Sequence, residues 1–158
     1  MANYSTTEYG LNPKKQDAIK GSVMKTFIGR FTYDVSEASD NDTYTLARNL
    51  DKNTLIKSIR ITSEALTAAD DNDIYIAKNG ETTQISESTL LTDGQDLETA
   101  LDNEEVLGAN VSGFDYTKSL YELTDYEEGT MDIVLAVKTK GTTADADITV
   151  EITYCEDL

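Results

Sequence analysis

The densest set of hard oxygen ligands in this sequence is Asp70-Asp71-Asn72-Asp73. Asp70, Asp71 and Asp73 in one short loop are the donor type that calcium takes, with backbone carbonyls free to complete the shell. The run lacks the glycine and the distal glutamate of an EF-hand loop. Asp93-Gly94-Gln95-Asp96 is a second loop of this kind. A solvated turn that blunts a sheet edge accounts for both without a metal, and the sequence favours that reading. Paired carboxylates can also hydrolyse glycosides. Glu104, Glu105, Glu127 and Glu128 are candidates by residue type, but all four sit in polar runs that read as solvated surface.

The remaining chemical repertoire is thin. The chain has no histidine. That removes the commonest general base, the Ser-His-Asp triad and most zinc and iron sites. A single cysteine, Cys155, builds neither an intrachain disulfide nor a thiolate metal site. No glycine-rich phosphate cradle is present, and there is no tryptophan to stack on a sugar ring. The expectation is a protein that is not an enzyme and carries no cofactor.

Charge narrows the partners. The formal net charge is −17 over 158 residues, which opposes binding to nucleic acid. Residues 1–60 carry nine basic and seven acidic side chains, whereas residues 61–158 carry four basic and 23 acidic ones. A mildly basic start thus precedes a strongly acidic body. No apolar run reaches the ~18 residues needed to cross a bilayer, and MANYSTTEYG lacks the features of a secretory signal. Synthesis in the cytoplasm and a soluble product, with no membrane partner, are expected.

The elements that must position these residues read as strands. Residues 1–25 lack a sustained apolar period and hold the only proline, Pro13, so they read as an extended N-terminal arm before a body over 26–158. Phe27, Gly29, Phe31, Tyr33 and Val35 alternate with polar residues, which marks a half-buried strand. Further strands are expected at Asp42–Arg48, at Thr54–Thr62 with Leu55, Ile59 and Ile61 inward, and at Asp73–Lys78. Asn79-Gly80 is a tight-hairpin signal leading to a weaker strand at Thr82–Ile85. Over 87–128 the alternation fades. Leu97, Ala100 and Leu101 fall at helical spacing, and Asp115–Leu123 reads as a helical turn capped by Asp115. Strands return at Met131–Lys138 and at Asp147–Tyr154, where Ile148, Val150, Ile152 and Tyr154 share one face. Short strands buried on one side predict an all-β, antiparallel β-sandwich or jelly roll with one or two short helical turns. Nine tyrosines suit strand faces and protein interfaces, and Tyr4 and Tyr9 lie in the arm, outside the expected core.

Several segments in order carry a resemblance: MANYSTTEYGLNP, NDTYTLARNLDKNTLIKSIRITSEAL, DIYIAKNGE, LLTDGQDLETA and YTKSLYELTDYEEGTMDIVLAVKTKGTTADADITVEITY. Together they resemble a family of small tailed-bacteriophage virion proteins of the structural, capsid decoration or head-associated type. None of these segments is a catalytic motif. The resemblance implies a decoration or cement subunit on the outer capsid surface, made in the host cytoplasm and located in the virion. Its partners would be the major capsid protein or neighbouring virion subunits, as a homo-oligomer. The arm, with Tyr4, Tyr9, Leu11, Lys14 and Lys15, would bind the partner by lying along a sheet edge. Two other readings stay open: a tail, neck or head-fibre component, and a calcium- or carbohydrate-binding adhesion module.

Overall fold

The computed structural model describes residues 2–3, 23–86, 89–142 and 144–156. Among them are nine strands: β1 (Ala2–Asn3), β2 (Val23–Tyr33), β3 (Asp42–Leu50), β4 (Leu55–Ser63), β5 (Asn72–Lys78), β6 (Leu90–Gln95), β7 (Leu101–Glu105), β8 (Met131–Val137) and β9 (Ala146–Glu156). One helix, α1 (Leu120–Thr124), precedes β8.

The pairing has a simple rule. β2 pairs with β9, β3 with β8, β4 with β7 and β5 with β6, all antiparallel. Strands β2–β5 are therefore one side of a long ribbon and β6–β9 the other, in reverse order. The ribbon is rolled so that alternate rungs fall in different sheets. β9 then closes on β4, and β8 on β5. The result is one sheet of order β1-β2-β9-β4-β7 and another of order β3-β8-β5-β6. This is the jelly-roll form of the expected all-β sandwich.

Period-two burial explains why the ribbon rolls. Ile148, Val150, Ile152 and Tyr154 of β9 turn inward, and so do Ile133, Leu135 and Val137 of β8. They meet Ile59 and Ile61 of β4 and Ile74 and Ile76 of β5 in one core. Each such side chain contributes about 1.5–3 kcal/mol on burial. β5 is buried on both faces, because Tyr75 and Ala77 pack on its outer side with Val134 and Leu90.

Several sequence expectations need correction. β4 runs Leu55–Ser63, and Ile56 rather than Leu55 is buried at its start. A register shift between Ile56 and Ser58 changes the phase of alternation there. Residues 96–100 are not helical, and Leu101 instead opens β7. Leu97 is buried because its backbone pairs with the loop before β5, exchanging bonds with Leu66 and Ala69. Thr82–Ile85 forms no strand but a single bridge, Ala77 opposite Gln84. In α1 the cap is Ser119, not Asp115: Ser119 Oγ accepts the Glu122 N–H at 3.3 Å, and the Glu122 carboxylate accepts the Ser119 N–H at 2.7 Å. Asp115 accepts from the backbone and hydroxyl of Thr117 instead, closing the preceding turn. Leu120 is buried and Leu123 packs on the core, as their spacing suggests.

Candidate interaction surface

The acidic loop holds a cation of its own. Lys138 Nζ lies 2.9 Å from Asp73 Oδ2 and 3.1 Å from Asp71 Oδ1. The hydrogen bond to Asp73 is the main reason the Lys138 pKa is raised above that of a free lysine, with Asp71 adding to it. The other oxygen of Asp73 accepts the Gly94 N–H at 2.9 Å. The loop thereby ties β5 to β6 and β8. Asp70 is exposed. Among the described residues no group of three or more histidine, cysteine, aspartate or glutamate side chains is placed to hold a metal ion.

The other candidate carboxylates are divided in the same way. Glu105 Oε1 accepts the N–H of Ile59 at 2.9 Å and of Leu107 at 3.2 Å, and Oε2 accepts the Ser58 hydroxyl. This side chain stands in for ladder bonds at the end of β7. Glu127 accepts a hydrogen bond from Tyr121, which raises the pKa of that phenol. A cleft of about 610 Å³ beside β6 includes Asp93, Asn110, Phe114, Asp115 and Glu122 in its lining. Asn110 donates to the Asp93 carbonyl, Asp115 accepts from Thr117 and Glu122 belongs to the helix cap.

The partner-binding candidates Tyr4, Tyr9, Leu11, Lys14 and Lys15 lie outside the described residues. Ala2 and Asn3 of β1 pair with Phe27 and Thr26 of β2. Among the described residues no strand covers the outer edge of β2 from Ile28 to Tyr33.

That open run differs from the other edges. The edge strands β3, β6 and β7 each contain a left-handed residue: Asn49 (φ 57°), Gly94 (φ 60°) and Asn103 (φ 51°). Each also shows register shifts against its neighbour. Such irregularities, with the exposed Asp102 and Glu104 on β7, spoil an edge as a template for a further strand. β2 has no left-handed residue and holds unbroken register with β9 over all 11 of its residues.

The flanks of the open run are concave. On the inner side, a groove of about 430 Å³ lies between β2 and β3, with Phe27, Gly29, Phe31, Tyr44 and Leu46 in its wall. Phe31 and Tyr44 stack with centroids 4.5 Å apart and planes at 12°, and Tyr33 tilts against Tyr44 at 6.1 Å. Gly29 keeps the groove open: a Cβ there would lie 3.2 Å from the Phe27 ring and 3.6 Å from the Leu46 carbonyl. On the outer side, Arg30, Thr32, Asp147 and Thr149 line a second hollow. Thr32 donates to Asp147 at 2.7 Å. Arg30 is exposed and has no ion-pair partner among the described residues.

Desolvation pushes the Tyr44 pKa up to about 12, with Tyr33 and Asp42 adding to the shift. A phenol whose folded-state pKa lies above its unfolded value near 10 supports the fold fully below that value. It withdraws that support as pH rises through about 12. Tyr44→Phe is therefore expected to make the melting temperature fall less steeply than wild type between roughly pH 10 and 12. An unchanged slope would show that Tyr44 is not the shifted group.

Sequence reading found the strands of this site but not the open edge. The available signal was alternation from Phe27 to Tyr33 without an internal asparagine or aspartate.

No family model matches the chain, and no curated protein matches it. Among solved structures it is similar to a chain of the cyanophage Pam1 capsid asymmetric unit, at 17% identity and a TM-score of 0.43, covering 86% of each chain. It is also similar to a chain of the acidic stable capsid of Helicobacter pylori bacteriophage KHP30, at 12% identity and a TM-score of 0.44, covering 87% of this chain and 91% of that one.

Proposed function

We propose that this protein is a structural subunit of a bacteriophage particle, a capsid decoration or cement protein seated on the outer capsid surface. The sequence resemblance supplies the setting. The observation that carries the docking reading is the single regular, uncovered sheet edge among the described residues, Ile28–Tyr33, with an aromatic groove along it and the exposed Arg30 at its rim. An exposed edge of this kind recruits a partner strand through main-chain hydrogen bonds, while alternate side chains read the flanking hollows. The arm and this edge would face the major capsid protein or a neighbouring subunit. The acidic remainder would face solvent, where charge keeps it from sticking elsewhere. Repetition over a particle multiplies a weak contact into firm attachment.

Deleting residues 2–22 leaves β2 whole and tests this directly. Binding to particles stripped of the protein, read by co-sedimentation, is expected to fall at least tenfold. The melting temperature of the truncated chain should stay within a few degrees of wild type. Undiminished binding would reject the proposal.

A further inference from the structure

We infer that Asn79-Gly80 is a site of spontaneous deamidation that the Asp132 carboxylate holds shut. The inference is independent of the docking reading above.

The reaction needs only these two neighbours, base and water. The Gly80 nitrogen gives its proton to solvent base and attacks Asn79 Cγ. The N–Cγ bond forms, the Cγ–Nδ2 bond breaks, and the amide nitrogen takes a proton and leaves as ammonia. The cyclic imide then takes up one water. Opening on one side gives aspartate at position 79. Opening on the other gives isoaspartate, whose main chain runs through Cβ and Cγ. The net change is amide plus water to acid plus ammonia, with nothing oxidised or reduced. Glycine permits the attack readily because it has no Cβ to hinder the approach. Asn79 and Gly80 are both exposed, so base and water reach them. They sit at the centre of a turn closed by the Glu81 N–H on the Lys78 carbonyl at 2.9 Å, with Gly80 at φ 78°.

Both reacting groups are nevertheless tied to one side chain. Asp132 Oδ2 accepts the Gly80 N–H at 2.9 Å, which is the nitrogen that must attack. Asp132 Oδ1 accepts from Asn79 Nδ2 at 2.9 Å, which is the group that must leave. Asn79 Nδ2 also donates to Asn49 Oδ1 at 2.7 Å. Cyclisation has to break these bonds before the atoms reach attacking geometry. A carboxylate beside the Gly80 N–H also opposes loss of its proton, because a second negative charge would form next to the first.

The same arrangement recurs at the other place where glycine follows asparagine or aspartate outside the turn, Asp93-Gly94. There the imide would form by loss of water. The Gly94 N–H is likewise given to a carboxylate of another strand, Asp73 Oδ1, at 2.9 Å. Gly108 and Gly141 follow leucine and lysine, and their N–H groups go to the Leu91 carbonyl and the Tyr33 hydroxyl instead. Conversion at Asn79 would set a new carboxylate against Asp132 Oδ1 and Asn49 Oδ1, acceptor against acceptor, and loosen the joint of β3, β5 and β8.

The test follows conversion at Asn79 by peptide mass spectrometry in mildly alkaline buffer, with isoaspartate identified by an isoaspartyl methyltransferase. Native wild type is expected to convert at least tenfold more slowly than the same chain unfolded in urea. Asp132→Asn keeps the shape of the side chain but removes the charge and turns an N–H₂ toward Gly80. Folded Asp132→Asn should convert at least tenfold faster than folded wild type. Gly141→Val disturbs packing against Leu66 and leaves Asp132 in place, so its rate at Asn79 should match wild type. Circular dichroism checks that each variant is folded, and the comparison of native with unfolded wild type stands whether or not they are. Native wild type that converts as fast as the unfolded chain, an unchanged or slower rate in Asp132→Asn, or a Gly141→Val rate equal to that of Asp132→Asn would each overturn the inference.

Discussion

Asp132→Ala is expected to cost about 3 kcal/mol of stability and to lower Tm by roughly 10 °C. The carboxylate is 2% exposed. Its Oδ1 accepts the Asn49 N–H at 3.0 Å and the Asn79 amide at 2.9 Å, and its Oδ2 accepts the Gly80 N–H at 2.9 Å. One side chain on β8 thus pins the irregular end of β3 and the turn after β5. Alanine leaves those three donors without their shared acceptor, and bonds to a charged acceptor are the costly ones to lose. Asp132→Asn keeps an acceptor for two donors but turns an N–H₂ toward the Gly80 N–H. An intermediate loss of about 1–2 kcal/mol is expected. Urea denaturation measures both. A loss below about 1 kcal/mol for the alanine variant would show that the turns hold without it.

Gly141→Val is expected to destabilise by about 3 kcal/mol for the opposite reason, too many atoms. A Cβ at this position would stand 2.5 Å from Leu66 Cδ1 and 2.6 Å from its Cγ. Leu66 cannot retreat: it is 1% exposed, and its N–H is bound to the Leu97 carbonyl at 2.7 Å. The Gly141 N–H also donates to the Tyr33 hydroxyl at 3.1 Å, so a backbone shift there breaks a buried bond. Adding Leu66→Ala should recover part of the loss. The double variant is expected to be more stable than the sum of the two single effects allows. Simple additivity would show that the clash is relieved some other way.

These two sites also mark what the sequence makes legible. β2, β8 and β9 show themselves because each presents apolar residues at period two to a single core. β7 does not, because only Leu101 of its five residues is buried and Asn103 breaks its geometry. Leu97, Ala100 and Leu101 share helical spacing by coincidence: Leu97 is held by a loop pairing and Ala100 is exposed. The carboxylates Asp71 and Asp73 are visible as a pair, but their cation, Lys138, comes just after β8, far along the chain. Phe31 and Tyr44 can each be placed on a strand. That they stack requires β2 and β3 to lie in different sheets, a fact of the rolled topology that no local pattern contains.

The nested ribbon sets an order of events in biosynthesis. Its innermost rung, β5 with β6, joins neighbouring segments, whereas its outermost rung sets Val23 against Glu156. Contacts so distant in the chain pay their loop entropy before any reward arrives, which slows folding. β9 lies between β2 and β4. A nascent polypeptide still lacking residues 146–156 therefore carries two strands each open along one edge, and that is the stage at which crowding on polysomes favours misassembly and chaperones matter.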